Sequence, residues 1–297
     1  MFDSRLFYLP LYNGIITLYI YIYHYCDIMT IAIVGTGNMG GAIARGLVKS
    51  GTCRPEEIIC TAKTKATLER IREFNDHIRV SQDNAAAAAQ ADIVLLAVKP
   101  WAVAEVVEEI RPVLDLDRQI LVSVAAGVAL DELAGMVDDA PYVERCSKHL
   151  PLFRVVPNTA VEALCGVSFI AAHGAMAEQT EQIRLLFAAL GYALVVDEKL
   201  IPAGTALASC GIAFAMRYIR AAMEGGVELG FRPEEAARIV EHTVKGAATL
   251  LLEAGAHPEA EIDKVTTAGG ITIKGLNAME KAGFTAAVID GLKASRV

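Results

Sequence analysis

The chain has 297 residues, of which 54% are apolar, and a formal net charge of −8. That length and composition allow two modest domains or one large one, with ample apolar material for a core. The acidic balance leaves no basic excess to neutralise phosphates, which excludes nucleic acid as the main partner and points to a small-molecule substrate.

At the N-terminus, residues 6–25 carry no Asp, Glu, Lys or Arg and hold six of the nine tyrosines. A run of about 20 apolar residues matches a membrane span in length. Pro10, Asn13 and Gly14 interrupt it, however, no basic segment precedes it, and no small-residue cleavage site follows. Two readings stay open for residues 1–28: a dispensable extension ahead of a start at Met29, and a weak membrane anchor. The first is preferred, because a strand at residues 30–34 follows Met29 at once, so no stable membrane association is expected. The six cysteines (Cys26, Cys53, Cys60, Cys146, Cys165, Cys210) form no C-x-x-C pair. Neither zinc nor a disulfide framework is indicated, and reduced thiols in a cytoplasmic protein are the simplest reading.

From Met29 onward, short apolar runs alternate with longer amphipathic ones. Residues 31–34, 57–60, 93–97, 120–123 and 153–156 read as buried strands of a parallel sheet. Residues 39–48, 65–74, 101–110 and 130–137 carry helical spacing between them, and the alanine run 85–89 reads as a further helical segment. A helix at 177–190 and a strand at 192–196 close the unit. Such alternation predicts an α/β fold with a Rossmann-type doubly wound sheet over residues 29–196. After Asp197 only helices are expected, at 207–229, 233–254, 259–265, 272–281 and 286–294. The first of these is apolar nearly all round, so it is expected to be buried in its own domain or against a partner subunit.

The first strand runs into Gly35-Thr-Gly-Asn-Met-Gly40, a G-x-G-x-x-G match in the strand-to-helix context the motif requires. Gly35 permits the tight turn, Gly37 lets backbone approach a pyrophosphate, and Gly40 lets helix and sheet close, with Thr36, Asn38 and Met39 completing the loop. N–H groups at the helix start then face the phosphates. An NAD site usually places Asp or Glu at the end of the second strand. This chain instead has Cys60-Thr-Ala-Lys-Thr-Lys65, with no acid before Glu69. Lys63, helped by Thr61, Thr64 and Lys65, suits a 2′-phosphate and hence NADPH, with NADH as the alternative cofactor. Lysines merely solvated at a helix start are the competing reading, disfavoured because cations there are unfavourable without an anion.

With these pieces in place, the chain from Met29 to its end resembles pyrroline-5-carboxylate reductase. The matching segments are the glycine loop, Ala97-Val-Lys-Pro100, Ser123-Val-Ala-Ala-Gly127 and, near the C-terminus, Thr266-Thr-Ala-Gly-Gly-Ile-Thr-Ile-Lys-Gly-Leu276. The resemblance implies that Asn84 reaches the adenosine ribose and that Ala97, Val98, Lys99, Pro100 and Ala125 surround the cofactor. It also implies that Asn158 lies near the nicotinamide. Thr267, Gly269, Gly270 and Ile271 would bind the substrate carboxylate, and Thr272 would act at the imine ring as the catalytic residue. The residues themselves agree to this extent: two glycines free the backbone to bend, and a helix start after them can bind a carboxylate. A Gly-Gly turn before a Thr-capped helix would look the same without any ligand. Three departures stand out: Ala268 replaces the family proline, Ile271 replaces threonine or alanine, and Ala208-Ser-Cys-Gly-Ile-Ala-Phe214 replaces S-G-S-G-P-A-Y.

The implied activity is NADPH-dependent reduction of 1-pyrroline-5-carboxylate to proline. The implied organisation is an all-helical domain at residues 197–297 that binds substrate and joins subunits into a homo-oligomer. A β-hydroxyacid dehydrogenase would share the layout but needs a general base, for which Lys245 is the one candidate. His242 and Lys245 read as a polar helix face instead. A cofactor-binding sensor without turnover is the third reading. The chain shortened to start at Met29 is expected to fold and keep its activity, because the first core strand begins just after that residue. Loss of soluble, active protein on removing residues 1–28 would overturn this.

Overall fold

The computed structural model describes residues 29–137 and 149–296. The N-terminal segment 1–28, and with it Cys26, lies outside the described residues, as does Cys146. The chain divides into two compact units between Ile201 and Pro202.

The first unit is an eight-stranded sheet in the order β3-β2-β1-β4-β5-β6-β7-β8. Its strands are β1 Ile31–Val34, β2 Ile58–Thr61, β3 Arg79–Ser81, β4 Ile93–Leu96, β5 Ile120–Ser123, β6 Leu152–Pro157, β7 Gly166–His173 and β8 Gly191–Val195. Five of them are the five parallel strands expected, within a residue or so at each end. All pairings are parallel except β6 with β7, where Leu152 opposes His173 and Pro157 opposes Ser168. Strands β3 and β7 were not anticipated, and the fully parallel sheet is corrected at that one pairing. The connection from β6 to β7 holds only the short 3₁₀ turn Thr159–Ala163. A parallel crossover needs a dozen or more residues, so the chain can only double back.

Helices α1 Asn38–Ser50, α2 Lys65–Phe74, α3 Asn84–Ala89, α4 Val103–Ile110, α5 Leu130–Val137 and α6 Ala177–Ala188 cover the sheet. Alternate residues of β1 explain why the strands read as unbroken apolar runs. Ile31 and Ile33 enter one core with Ile43 and Leu47 of α1 and Phe187 of α6. Ala32 and Val34 enter a second core with Ala87, Val103 and Leu133 of the other helices. A strand covered on both faces has no wet side to mark with polar residues.

A paired charge fixes α1 to the turn after β6. Arg45 donates twice to Glu162, from Nε to Oε1 at 2.9 Å and from Nη2 to Oε2 at 2.8 Å, and Lys49 Nζ stands 3.7 Å from the same carboxylate. The Arg45 hydrogen bonds hold the Glu162 carboxyl below its ordinary value of 4.5.

The second unit is helical. A π-helical stretch, Thr205–Cys210, leads into α7 Gly211–Glu228, followed by α8 Pro233–Ala254, α9 Pro258–Val265, α10 Ile271–Lys281 and α11 Phe284–Ala294. The single α-helix expected over 207–229 is thus wider-wound at its start. Pro233 takes the first position of α8, with Glu234 and Glu235 in its first turn as the dipole favours. Helices α7 and α8 approach closely where a Cβ on Gly226 would lie 3.1 Å from that of Ala236. Within one chain this unit buries little: Ala206 and Ala236 are its only buried apolar residues among those described, while Leu207, Met216, Leu229 and Leu252 are exposed. None of α7 is buried.

The Arg45–Glu162 pair generates a prediction. Because the folded-state pKa of Glu162 is depressed, its contribution to stability is present above the unfolded value near 4.5 and is lost as pH falls through the folded value. Both side chains are partly exposed, so Glu162→Gln is expected to cost no more than about 1 kcal/mol at pH 7. Thermal melts of wild type and variant are expected to differ at neutral pH and to converge once both carboxyl values are passed. A difference that persists at acid pH would mean that something other than charge is lost.

Candidate active site

The glycine loop occupies the carboxyl end of β1, between β2 and β4, where the strand order reverses and ligands bind in doubly wound sheets. Backbone bonds fix it there: Gly35 and Thr36 donate to the Thr61 carbonyl at 3.2 and 2.8 Å, and Ala97 donates to the Val34 carbonyl at 2.8 Å. Gly35 has φ +94°, and a Cβ on it would come within 2.7 Å of Val98 Cγ1. A Cβ on Gly40 would sit 2.3 Å from the Gly35 carbonyl oxygen, inside contact distance of backbone that cannot swing away. Gly37 differs from both. It is exposed, and a Cβ there would meet nothing within 4 Å. The protein alone does not require glycine at 37, whereas a phosphate passing close over the backbone does. As the residue preceding α1, Gly37 provides no side-chain cap, so the first N–H groups of this 13-residue helix are open to an anion.

Most of the remaining expected cofactor residues follow the carboxyl ends of strands β3 to β6. Ala97, Val98, Lys99 and Pro100 form the turn after β4, with Lys99 exposed and Pro100 opening a 3₁₀ turn. Ala125 is buried just past β5. Asn158 is buried after β6, its side-chain oxygen accepting from the Ala160 and Val167 N–H groups at 3.2 Å each. Asn84 begins α3; its Oδ1 accepts from the Thr61 hydroxyl at 2.6 Å and its Nδ2 donates to Glu109 at 2.8 Å. Two expectations need correction. Thr61 is fully buried, its hydroxyl engaged with Asn84 and the Gly35 N–H, so it builds the floor of the loop rather than meeting a 2′-phosphate. Thr36 is likewise buried, its hydroxyl donating to the Thr61 carbonyl. Lys63 is exposed, and the acid absent near it in sequence is present in space: Glu105 of α4 lies 3.7 Å from its Nζ.

The segment expected to bind substrate belongs to the helical unit. Gly270 N–H donates to the Thr267 carbonyl at 2.9 Å, closing a four-residue turn with Ala268 and Gly269 inside it. Gly269 has φ +71°, the left-handed value that some turns demand at their third position. Proline favours the second position of such turns, so Ala268 stands where the family proline would stiffen the loop. Helix α10 begins at Ile271, with Gly270 as its cap and no side-chain capping bond. The expected start at Thr272 is corrected by one residue. Thr272 is therefore not a cap; it lies in the first turn, exposed, and its hydroxyl is not used to close the helix end. A Cβ on Gly270 would meet Thr267 Oγ1 at 2.7 Å, so the turn has no room for one.

Thr67 and Arg70 were not among the expected site residues. They share a cleft with Gly37, Asn38, Arg45 and Ile71 beside the glycine loop. The signal available was the i, i+3 spacing of Thr64, Thr67 and Arg70, which places all three along one side of α2.

Fold, loop and open helix start define a dinucleotide-dependent oxidoreductase of the Rossmann type. A family model described as pyrroline-5-carboxylate reductase dimerisation matches residues 198–297, and one described as NADP oxidoreductase, coenzyme F420-dependent, matches residues 30–127. Pyrroline-5-carboxylate reductase 2 of Dictyostelium discoideum is 36% identical over 277 residues, covering 88% of this chain and 89% of the relative. Pyrroline-5-carboxylate reductase 1 of the same organism is 37% identical over 89% of this chain, which spans about half (48%) of that longer relative. Among solved structures, a pyrroline-5-carboxylate reductase from Coxiella burnetii superposes with a TM-score of 0.81 at 27% identity, over 91% of this chain and 96% of that one. The chain belongs to the pyrroline-5-carboxylate reductase family.

Proposed function

We propose that the chain reduces the imine of 1-pyrroline-5-carboxylate to L-proline with NADPH, the last step of proline biosynthesis. The observation that carries this reading is the turn at Thr267–Gly270, whose glycines present an uncapped helix start within the segment shared with the family. The Gly35–Gly40 loop, Asn84, Ala97 to Pro100, Ala125 and Asn158 are the residues proposed to hold the cofactor. Bound NADPH supplies a hydride for the imine carbon. The protein's own part is small in chemistry and large in placement. The N–H groups at the start of α10 hold the carboxylate, together with the backbone at Gly269, Gly270 and Ile271 and the Thr267 hydroxyl. The Thr272 hydroxyl orients the ring and hydrogen-bonds its nitrogen, which acquires its proton from solvent or arrives already protonated. Fixing the reacting carbon in line is the main source of rate.

The dehydrogenase alternative is weaker, because the Gly269-Gly270 segment follows the reductase family pattern and Lys245 and His242 lie on the exposed polar face of α8. Nor does an exposed apolar helix make this a membrane protein. The helical run Glu198–Glu228 is long and apolar enough to cross a bilayer by length and composition. It lies inside the segment matched by the dimerisation family, so a second subunit is the proposed cover. A reducing, cytoplasmic location is part of the same reading, in keeping with cysteines that form no C-x-x-C pair. Burial raises the Cys60 thiol to about 12, which keeps it inert at neutral pH.

Three measurements test this reading. Sedimentation is expected to show a dimer or larger species, and a stable, active monomer at micromolar concentration would count decisively against it. Thr272→Val keeps the shape of the site but removes the hydroxyl, so kcat is expected to fall about ten- to a hundredfold with NADPH affinity unchanged. Gly270→Val is expected to act mainly on KM for the imine, by obstructing the turn. Wild-type turnover in Thr272→Val would remove that residue from the mechanism. An assay with pyrroline-5-carboxylate, a 3-hydroxy acid and neither separates reductase, dehydrogenase and sensor.

A further inference from the structure

We infer that Arg70, with the Thr67 hydroxyl, is the principal holder of the cofactor's 2′-phosphate, in the cleft between the glycine loop and α2. This rests on the NADPH reading above and assigns its selectivity to a residue other than the one the sequence suggests. The cleft brings together Gly37 and Asn38 of the loop, Arg45 of α1, and Thr67, Arg70 and Ile71 of α2. Two cations line it, and they are not equivalent. Arg45 is held in the two-point bond to Glu162, so its charge is already matched. Arg70 donates to Thr67 Oγ1 at 3.3 Å, and among the described residues no carboxylate pairs with it.

The hydroxyls extend this arrangement. Thr67 Oγ1 lies 2.9 Å from Thr64 Oγ1, so a file of two hydroxyls and one guanidinium runs along α2. A planar guanidinium beside hydroxyls recognises a tetrahedral dianion through directed bonds as well as charge. Gly37 brings exposed backbone to the same cleft and leaves its Cβ position empty. That is where a ligand following the loop would enter.

Lys63 is placed less favourably. Its Nζ is 3.7 Å from Glu105 Oε1, and both side chains are about three-quarters exposed, at 77% and 72%. A carboxylate at that distance offsets the ammonium and repels an incoming dianion. Lys63 therefore contributes from the rim, and Arg70 supplies the charge that discriminates.

The test measures binding to the intact protein by calorimetry, with NADPH, NADH, adenosine 2′,5′-bisphosphate and ADP as separate ligands. Arg70→Gln is expected to weaken NADPH and adenosine 2′,5′-bisphosphate about tenfold or more, and to leave NADH and ADP within twofold. Arg70→Lys is expected to restore part of the loss, and Lys63→Ala to weaken NADPH by less than Arg70→Gln does. An unchanged NADPH-to-NADH ratio in Arg70→Gln, with the ratio collapsing in Lys63→Ala, would overturn the assignment while leaving NADPH use intact. Equal binding of adenosine 2′,5′-bisphosphate and ADP by wild type would overturn the NADPH reading itself. Because Arg70 is an exposed helix residue, an unaltered melting temperature in the variants excludes misfolding as the cause.

Discussion

The cofactor domain is organised around one close approach: the first turn of α1 lies so near the end of β1 that residue 40 has no room for a side chain. A Cβ there would stand 2.3 Å from the Gly35 carbonyl oxygen and 3.0 Å from the Ala97 Cβ. Both neighbours are themselves fixed, Gly35 by its bond to the Thr61 carbonyl and Ala97 by its bond to Val34. The constraint therefore couples three strands to one helix end. It aims the N–H groups of α1 across the carboxyl edge of the sheet, where an anion is favoured by both hydrogen bonding and the helix dipole. Thr36 and Thr61, which could pass for ligand groups in the sequence, belong to this framework. The Thr36 hydroxyl donates to the Thr61 carbonyl, and the Thr61 hydroxyl donates to Asn84.

The two units solve opposite packing problems. In the sheet unit, helices cover both faces and the core closes within the chain, with Ile31, Leu95 and Phe153 wholly buried. In the helical unit, large apolar side chains such as Leu207, Met216 and Ile271 stay exposed and only alanines are buried among the described apolar residues. Apolar surface on that scale is characteristic of a subunit interface. The π-helical start Thr205–Cys210 belongs to the same segment, in which the family's S-G-S-G-P-A-Y is rewritten as Ala208 to Phe214. With Ile212 in place of proline, the chain keeps its backbone donor and continues as helix into α7.

Much of the fold was legible because its signals are local. A strand buried on both faces is a continuous apolar run, and a glycine loop between strand and helix is a sequence pattern. Strand β7 was less visible for a physical reason: its buried positions include Gly166 and Ser168, which no hydropathy pattern marks as core. Strand β3, three residues long and bearing Arg79, lies at the sheet edge and has hardly any apolar face. At the candidate site, the positions of the glycines were evident, but the partners of charged groups were not. Glu105 is 42 residues from Lys63 along the chain. Their proximity exists only because α4 follows β4, next to β1 in the sheet. The absence of an acid after the second strand was a correct reading of the sequence that did not carry over into space.

The turn at Thr267–Gly270 departs from the family sequence and still closes. A closed turn with a left-handed third residue needs glycine at 269, and that residue is present. Proline at its second position would restrict the unfolded chain without adding a contact to the ligand, so Ala268 costs at most about 1 kcal/mol and acts through entropy. The donors proposed to meet a carboxylate are backbone N–H groups at the start of α10, and these are independent of the side chain at 268 or 271. Ile271 is 87% exposed, so the side chain that differs from the family points away from the chain's own packing and leaves the helix start unchanged. A binding site made of main chain tolerates such substitutions. A site that depended on a side chain would not, and in this segment the hydroxyls of Thr267 and Thr272 are the side-chain groups proposed for such a role.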